Sequence, residues 1–330
     1  MKHSIIDPLD WLLETDTNNP GVRFFALRDL LHLPLHDPQL SQAQADIMVQ
    51  GPVPSILDAQ HPDGYWARPG GGYTPSYTST FWQIVFLADL GATNSDARLQ
   101  RGCEYLMRHH IASNGAFAIS RPPVPSSAVH CINGLALYAL MKLGYGNDPR
   151  VMAALDWLCT TATGQASARY YKSGTSGSGF ACAYNLGQPC AWGAVKALKA
   201  LGSLVPAQRT AQVEQAIERG IAFLLDYDLA AANYPYTERI NSSWFIFGFP
   251  LSYRSDLLET TGILVNLGCE GAARLEKACQ FIASKRDHLG RWKMEKTLNG
   301  KMWVDIEQKG KSSKWLTLRA MQILCSIEWN

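Results

Sequence analysis

Six stretches of the chain are apolar on nearly every side, and each follows a loop. They begin near Val22, Tyr77, His130, Cys190, Arg254 and Ser313, spaced 53 to 64 residues apart. The run from Tyr77 to Leu90 shows the pattern: Thr-Phe-Trp-Gln-Ile-Val-Phe-Leu-Ala-Asp at its centre predicts a helix packed on both sides. Four of the six close on a Leu-Gly pair (Leu90-Gly91, Leu143-Gly144, Leu201-Gly202, Leu267-Gly268). Gly is expected there in the left-handed conformation that ends a helix. Between the apolar runs lie stretches with one polar face. Asp96 to His109 carries Leu99, Cys103, Leu106 and Met107 at helical spacing, and Asp148-Pro149 opens another with Met152, Leu155, Trp157 and Leu158. Asp before Pro is a favourable cap and first-turn pair.

The alternation of buried helix, short turn, amphipathic helix and long loop predicts an all-α chain. It predicts one domain over residues 1–330, a closed (α/α)6 toroid of six helical hairpins with an inner and an outer ring. In such a ring the inner helices begin at one mouth. Their first residues then form one site.

Composition narrows the function classes. The chain has 330 residues, 47% of them hydrophobic and 18% charged, which fits a large core or an apolar cavity. A net charge of +2, with no Lys/Arg cluster longer than Lys309-Gly-Lys311, gives no basis for a nucleic-acid partner. No apolar run approaches the roughly 18–20 residues of a membrane span, and no signal peptide is expected. Eight cysteines without a C-x-x-C pair are expected as reduced thiols in a cytoplasmic protein. Cys159, Cys269, Cys279 and Cys325 read as small buried hydrophobes. Nothing in the sequence predicts an oligomeric state.

Gly-and-aromatic punctuation marks the long loops: Gln60-x-x-Asp63-Gly64-Tyr65-Trp66, Asn114-Gly115-Ala116-Phe117 and Asp287-x-x-Gly290-Arg291-Trp292. Gly permits the turn and the ring packs back beneath the next helix. Gln60 to Trp66 resembles the QW repeat of squalene and oxidosqualene cyclases, and Asp287 to Trp292 resembles a degenerate copy. With the ring of hairpins, the chain resembles the α/α-toroid superfamily of terpenoid cyclases and protein prenyltransferase β-subunits. The resemblance implies a hydrophobic, isoprenoid substrate in a central cavity. The superfamily's catalytic motifs are missing, however. The chain has no Asp-Asp pair, so both the Asp-x-Asp-Asp acid and the Asp-Asp-x-x-Asp diphosphate motif are absent, and there is no Asp-x-Cys zinc pair. Asp226-Tyr-Asp228 is the nearest relic and falls at the end of an outer helix.

Chemistry gathers instead on the residues before the inner helices. Prolines 122, 123 and 125 lead to His130-Cys131, and a long Gly-rich loop carries Cys182 and Cys190. One His and two or three Cys from separate loops fit either of two chemistries. One is a tetrahedral zinc site of His130, Cys182 and Cys190, with Cys131 as a further ligand, in a zinc-dependent prenyl transferase. The other is metal-free, cofactor-free proton transfer by His130, Cys182 and Cys190 at helix N-termini. That set resembles the site of linalool dehydratase-isomerase. Tyr253 and Asp256, three apart, are expected on one face of a first helical turn, with Asp256 as proton donor in an apolar setting. Tyr73, Tyr77, Trp82, Trp192, Trp244, Phe247 and Phe249 are expected to wall the cavity and to steady a carbocation. Gly174-Thr-Ser-Gly177-Ser-Gly179 with Lys172 is a weaker phosphate-cradle pattern without the strand–loop–helix setting. Alternation over Met302 to Ile306 predicts a short strand or arm, with Asp305 and Glu307 facing water. The expected function is a terpenoid-cyclase-like enzyme that cyclises, isomerises or dehydrates an isoprenoid. The alternative outside catalysis is a lipid- or protein-binding toroid.

Overall fold

The computed structural model describes residues 7–164, 178–235 and 243–327. Most of them are helical. The strand ladder among them is a two-residue antiparallel pairing of β1 (Trp292–Lys293) with β2 (Ser312–Ser313). Two short helices, α1 (Leu9–Leu13) and α4 (Pro52–Asp58), flank the first hairpin. The buried helices are α2 (Pro20–Asp29), α5 (Thr80–Asp89), α7 (His130–Lys142), α9 (Ala191–Leu201), α11 (Leu257–Asn266) and α13 (Lys314–Ser326). The amphipathic ones are α3 (Pro38–Val49), α6 (Ala97–His109), α8 (Pro149–Thr163), α10 (Ala211–Leu225) and α12 (Ala273–Ser284). All of α5 is buried, as expected for a helix covered on every side.

The first five buried helices each pack on the amphipathic helix that follows. The buried helices also pack on one another: α5 on α7, α7 on α9, α9 on α11, α11 on α13, and α13 on α2. The last of these contacts is polar as well as apolar. Trp315 Nε1 donates to Asn19 Oδ1 at 3.0 Å, and Gln322 Nε2 donates to Asp29 Oδ2 at 2.7 Å. No helix among the described residues is long and apolar enough to cross a membrane.

The loop pattern has a repeated physical basis. Gly64, Gly115 and Gly290 all take positive φ, at 95°, 83° and 76°, where a Cβ would be strained. Trp66 and Trp292 are fully buried, and their indoles donate 2.7 Å bonds to the carbonyls of Ile56 and Ile282, each ten residues back. The backbone N–H that follows each turn is taken by a side chain of the next buried helix. Trp66 N bonds Thr80, Trp292 N bonds Thr317, and Phe117 N bonds Asn133 at 2.8 Å. The loop is thereby tied to the helix it feeds.

Several expectations need correction. The helix expected from Tyr77 begins at Thr80, because Tyr77 has a φ of 69° and Ser79 is extended. The helix expected from Arg254 begins at Leu257, because Asp256 is extended and caps it, accepting from Glu259 N at 2.8 Å. Tyr253 and Asp256 therefore share no helical turn. Gly91, Gly144 and Gly268 adopt positive φ, but Gly202 stays right-handed and the chain turns on through Ser203 and Leu204. Residues 302–304 form bends and 305–306 are irregular, so no strand forms there. Glu307 does not face water; it accepts from Ser313 Oγ and from Lys314 N at 2.7 Å, at the start of α13. Cys159 and Cys279 are buried and Cys269 half-buried, whereas Cys325 is exposed.

Two contacts set the spacing of the central helices. A Cβ on Gly134 of α7 would lie 2.3 Å from the backbone carbonyl of Lys196 on α9, so only glycine permits the approach. The Lys196 side chain is wholly buried, and its Nζ meets Glu259 Oε2 of α11 at 2.6 Å. Lys199 Nζ bonds Asp89 Oδ1 of α5 at 2.8 Å and lies 3.5 Å from Glu259 Oε1. Burial alone raises the pKa of the Glu259 carboxyl, but the two ammonium groups outweigh it and hold that pKa down at about 2.

A carboxyl depressed in this way stabilises the fold above its ordinary pKa of 4.5 and loses that contribution as pH falls towards 2. Glu259→Gln leaves the Lys196 ammonium, whose pKa burial already lowers, buried without its partner, a change that costs roughly 3–5 kcal/mol. The unfolding free energy from denaturant titration is expected to fall by that amount at pH 7, moving the midpoint down, with the gap to the wild-type protein narrowing below about pH 4. An unchanged midpoint at pH 7 would show that the pair does not hold the helices together.

Candidate functional site

Where α7 and α9 begin, a cavity of about 490 Å³ opens. Its lining comprises Tyr73, Ile119, Val129, Cys131, Ile132, Cys182, Tyr184, Asn185, Cys190, Trp192, Tyr253 and Arg254. Three of its walls follow from local structure. Cys131 lies in the first turn of α7, and Cys190 is the residue before α9. Cys182 is brought to Cys190 by a tight hairpin: Ala181 bridges Pro189, Cys190 N donates to the Phe180 carbonyl at 2.9 Å, and Cys182 N donates to that of Gln188 at 3.2 Å. Asn185 braces the turn by donating to the Pro189 carbonyl at 2.8 Å.

The three thiols are neutral. Burial pushes Cys190 up to about 12, with the Cys182 sulfur adding to it. Burial and the two neighbouring thiols drive Cys131 well above the ordinary range, and burial raises Cys182. Tyr73 is raised too, first by burial and then by Tyr253. The aromatic groups form a connected set. Trp82 donates to the Tyr73 carbonyl at 2.8 Å, and its ring lies 5.3 Å from Tyr77 and 6.5 Å from Tyr253. Tyr253 is 6.3 Å from Trp192, and the Arg254 guanidinium lies 5.6 Å from the Trp192 ring and 5.9 Å from Tyr253.

Of the residues expected at one mouth, the structure brings together Tyr73, Cys182, Cys190, Trp192 and Tyr253 in the lining, with Tyr77 and Trp82 directly behind. Others lie elsewhere. Successive helical residues point about 100° apart, so with Cys131 facing the cavity His130 faces away. Its imidazole sits 5.6 Å from Trp157 and 5.3 Å from Phe180, and burial lowers its pKa to about 3. Asp256 is buried outside the lining. Burial raises its pKa to about 6, and its oxygens accept from Glu259 N and from Gly248 N at 3.3 Å. Trp244 packs on Tyr234 and donates to the Leu229 carbonyl. Phe247 packs against Phe281 and Lys285, and Phe249 stacks on Trp315 at 4.2 Å. Among the described residues no group of three or more His, Cys, Asp or Glu is placed to hold a metal ion. The glycine-rich stretch 174–177 and Lys172 lie outside the described residues.

Sequence reasoning missed Arg254, Tyr184, Asn185 and the apolar floor of Ile119, Val129 and Ile132. Arg254 carried a signal, a lone cation between an aromatic and a Ser-Asp helix start. A second cavity, of about 260 Å³, was also missed. It sits at the opposite ends of the same helices, over Asp89, Lys199, Tyr138 and Arg319.

No family model matches the chain, and no curated protein does. Among solved structures it is similar to a protein from Actinoplanes, at 14% identity over 94% of this chain and 90% of that one, with a TM-score of 0.42. That likeness is too slight to bear on fold or activity.

The thiol environments predict a reactivity order. Alkylation with a neutral reagent at pH 8, followed by peptide mass spectrometry, is expected to modify exposed Cys325 at least about tenfold faster than Cys131 or Cys190. Equal rates would show that the cavity thiols are ionised or solvated.

Proposed function

We propose that the chain is a single α/α-toroid of six hairpins that holds an apolar, isoprenoid-type molecule in the thiol- and tyrosine-lined cavity and acts on it by proton transfer. The order of helix contacts supports the ring: from α5 onward each buried helix meets the next, and α13 returns to α2. At the remaining junction, a Cβ on Gly21 of α2 would lie 2.6 Å from the Leu90 carbonyl after α5.

The observation that carries the functional reading is the cavity lining. It holds three tyrosines, of which Tyr253 packs against Trp192, three neutral thiols and an apolar floor, and among the described residues no carboxylate or imidazole. Protonating an unactivated alkene needs a strong acid, and Asp256 already uses its oxygens on two backbone N–H groups. The chemistry therefore narrows from cyclisation to dehydration or isomerisation at a carbon bearing oxygen. A proton from Tyr253 or a thiol goes to the leaving hydroxyl, and the phenolate or thiolate so formed takes a proton from the neighbouring carbon and is neutral again. Water departs and an alkene forms. In this reading Asp256 and His130 are positioning residues, the first capping α11 and the second packing beneath α7. The same lack of a strong acid favours a second reading, a carrier that binds without conversion.

One experiment separates them. Purified protein is titrated with C10 to C30 isoprenoid alcohols, carboxylic acids, hydrocarbons and diphosphates, following binding by tryptophan fluorescence and products by gas chromatography–mass spectrometry. Conversion of an alcohol that falls at least about 100-fold in Tyr253→Phe, with binding retained, supports the enzyme. Binding without conversion supports the carrier, and no binding across the panel refutes both.

A further inference from the structure

The cavity is rich in hydrogen-bond donors and poor in anions. Arg254 is the one charged residue among its twelve lining residues, and among the described residues it forms no ion pair. Its guanidinium is held beside two aromatic rings, Trp192 and Tyr253, which orient a planar fork better than they would orient an ammonium group. Trp192 Nε1 is buried with no hydrogen-bond partner, and its residue lines the same cavity. An indole N–H can only donate, so the partner it lacks is an acceptor.

Two further observations point the same way. Neither α7 nor α9 has a side-chain cap: Val129 and Cys190 stand at their N-cap positions without a capping bond. The positive ends of two long helix dipoles thus lie at the end where the cavity opens, with the N–H groups of Trp192 and Gly193 directed at the Cys190 sulfur. Outside the lining, Lys296 is a second cation close enough to feel the Arg254 charge; burial and Arg254 lower its pKa, and the nearby Asp256 carboxylate raises it.

We infer that the cavity takes an apolar carboxylic acid, its carboxylate on Arg254 and the Trp192 indole N–H, its hydrocarbon body over Ile119, Val129, Ile132 and Tyr73. This rests on the reading of the cavity as the binding site and names the substrate class within it; where that site dehydrates, the hydroxyl that leaves is borne on the body of the same acid. A single guanidinium matches one carboxylate through two parallel N–H···O bonds. A diphosphate would bring several negative charges to that one fork, and an uncharged alcohol would leave it unmatched. The donors and the apolar floor lie in one chamber of about 490 Å³, so one ligand with a head and a tail satisfies both.

The test compares three probes of one carbon skeleton, geranic acid, geraniol and geranyl diphosphate, by fluorescence titration at pH 7. The acid is expected to bind at least about tenfold more tightly than the alcohol, and more tightly than the diphosphate. Arg254→Gln should abolish the preference for the acid, with the affinity for geranic acid falling at least about tenfold more than that for geraniol. Because Arg254 is exposed at the rim, the variant is expected to keep the wild-type thermal midpoint, which is measured alongside. Equal binding of acid and alcohol, a preference that survives Arg254→Gln, or tightest binding of the diphosphate would overturn the assignment while leaving the cavity as the site. If none of the three binds, the assignment and the cavity reading fail together.

Discussion

The wholly buried ammonium of Lys196 is the constraint on which the central helices depend. Its backbone carbonyl lies so close to Gly134 that α7 and α9 run almost in contact, and its Nζ reaches Glu259 on α11. A charge in that position is costly unless paired, so the pair holds α9 and α11 in one register. Lys199, one turn on, repeats the arrangement with Asp89 of α5. Four charged groups thus join three otherwise apolar helices. Apolar side chains could fill the same space, but they would not oblige the helices to meet at one height.

That register produces the cavity at the other end. With α7 and α9 held together, Cys131 and Cys190 open into one space, and the hairpin before α9 adds Cys182. Helical geometry then sorts the neighbours. Cys131 enters the cavity and His130 is turned into the packing beneath it, where burial keeps its imidazole neutral. The two ends of the same helices differ in chemistry: thiols, tyrosines and the positive ends of helix dipoles at one, a network of paired charges at the other. A ligand that is apolar with an acceptor head suits the first end and not the second.

Much of the helical architecture was legible in the sequence because it follows from periodicity and punctuation. The apolar run at Tyr77 to Leu90, the caps at Asp96 and Asp148, and the Gly-aromatic loops all act within a few residues of themselves. Helix starts were less legible. Tyr77 and Tyr253 look helical by composition, but a positive φ at the first and the capping role of Asp256 delay each helix by about a turn. Aromatic content marked Trp244, Phe247 and Phe249 as cavity residues, and they pack elsewhere because ring size says nothing of direction. The charges of Asp89, Lys196, Lys199 and Glu259 were not singled out, because their partners lie 63 and 110 residues away, beyond any local pattern. Adjacent residues such as His130 and Cys131 could not be told apart until the helix phase was known.

The central claim is that one cavity, at the start of α7 and α9, receives an apolar ligand by its acceptor head. A crystal structure of the protein with a bromine-labelled apolar carboxylate tests it most directly. The account predicts an anomalous bromine peak over Ile119, Val129 and Ile132, with the carboxylate on Arg254 and Trp192 Nε1. A bromine peak at the opposite end, among Tyr138, Lys199 and Arg319, would contradict it.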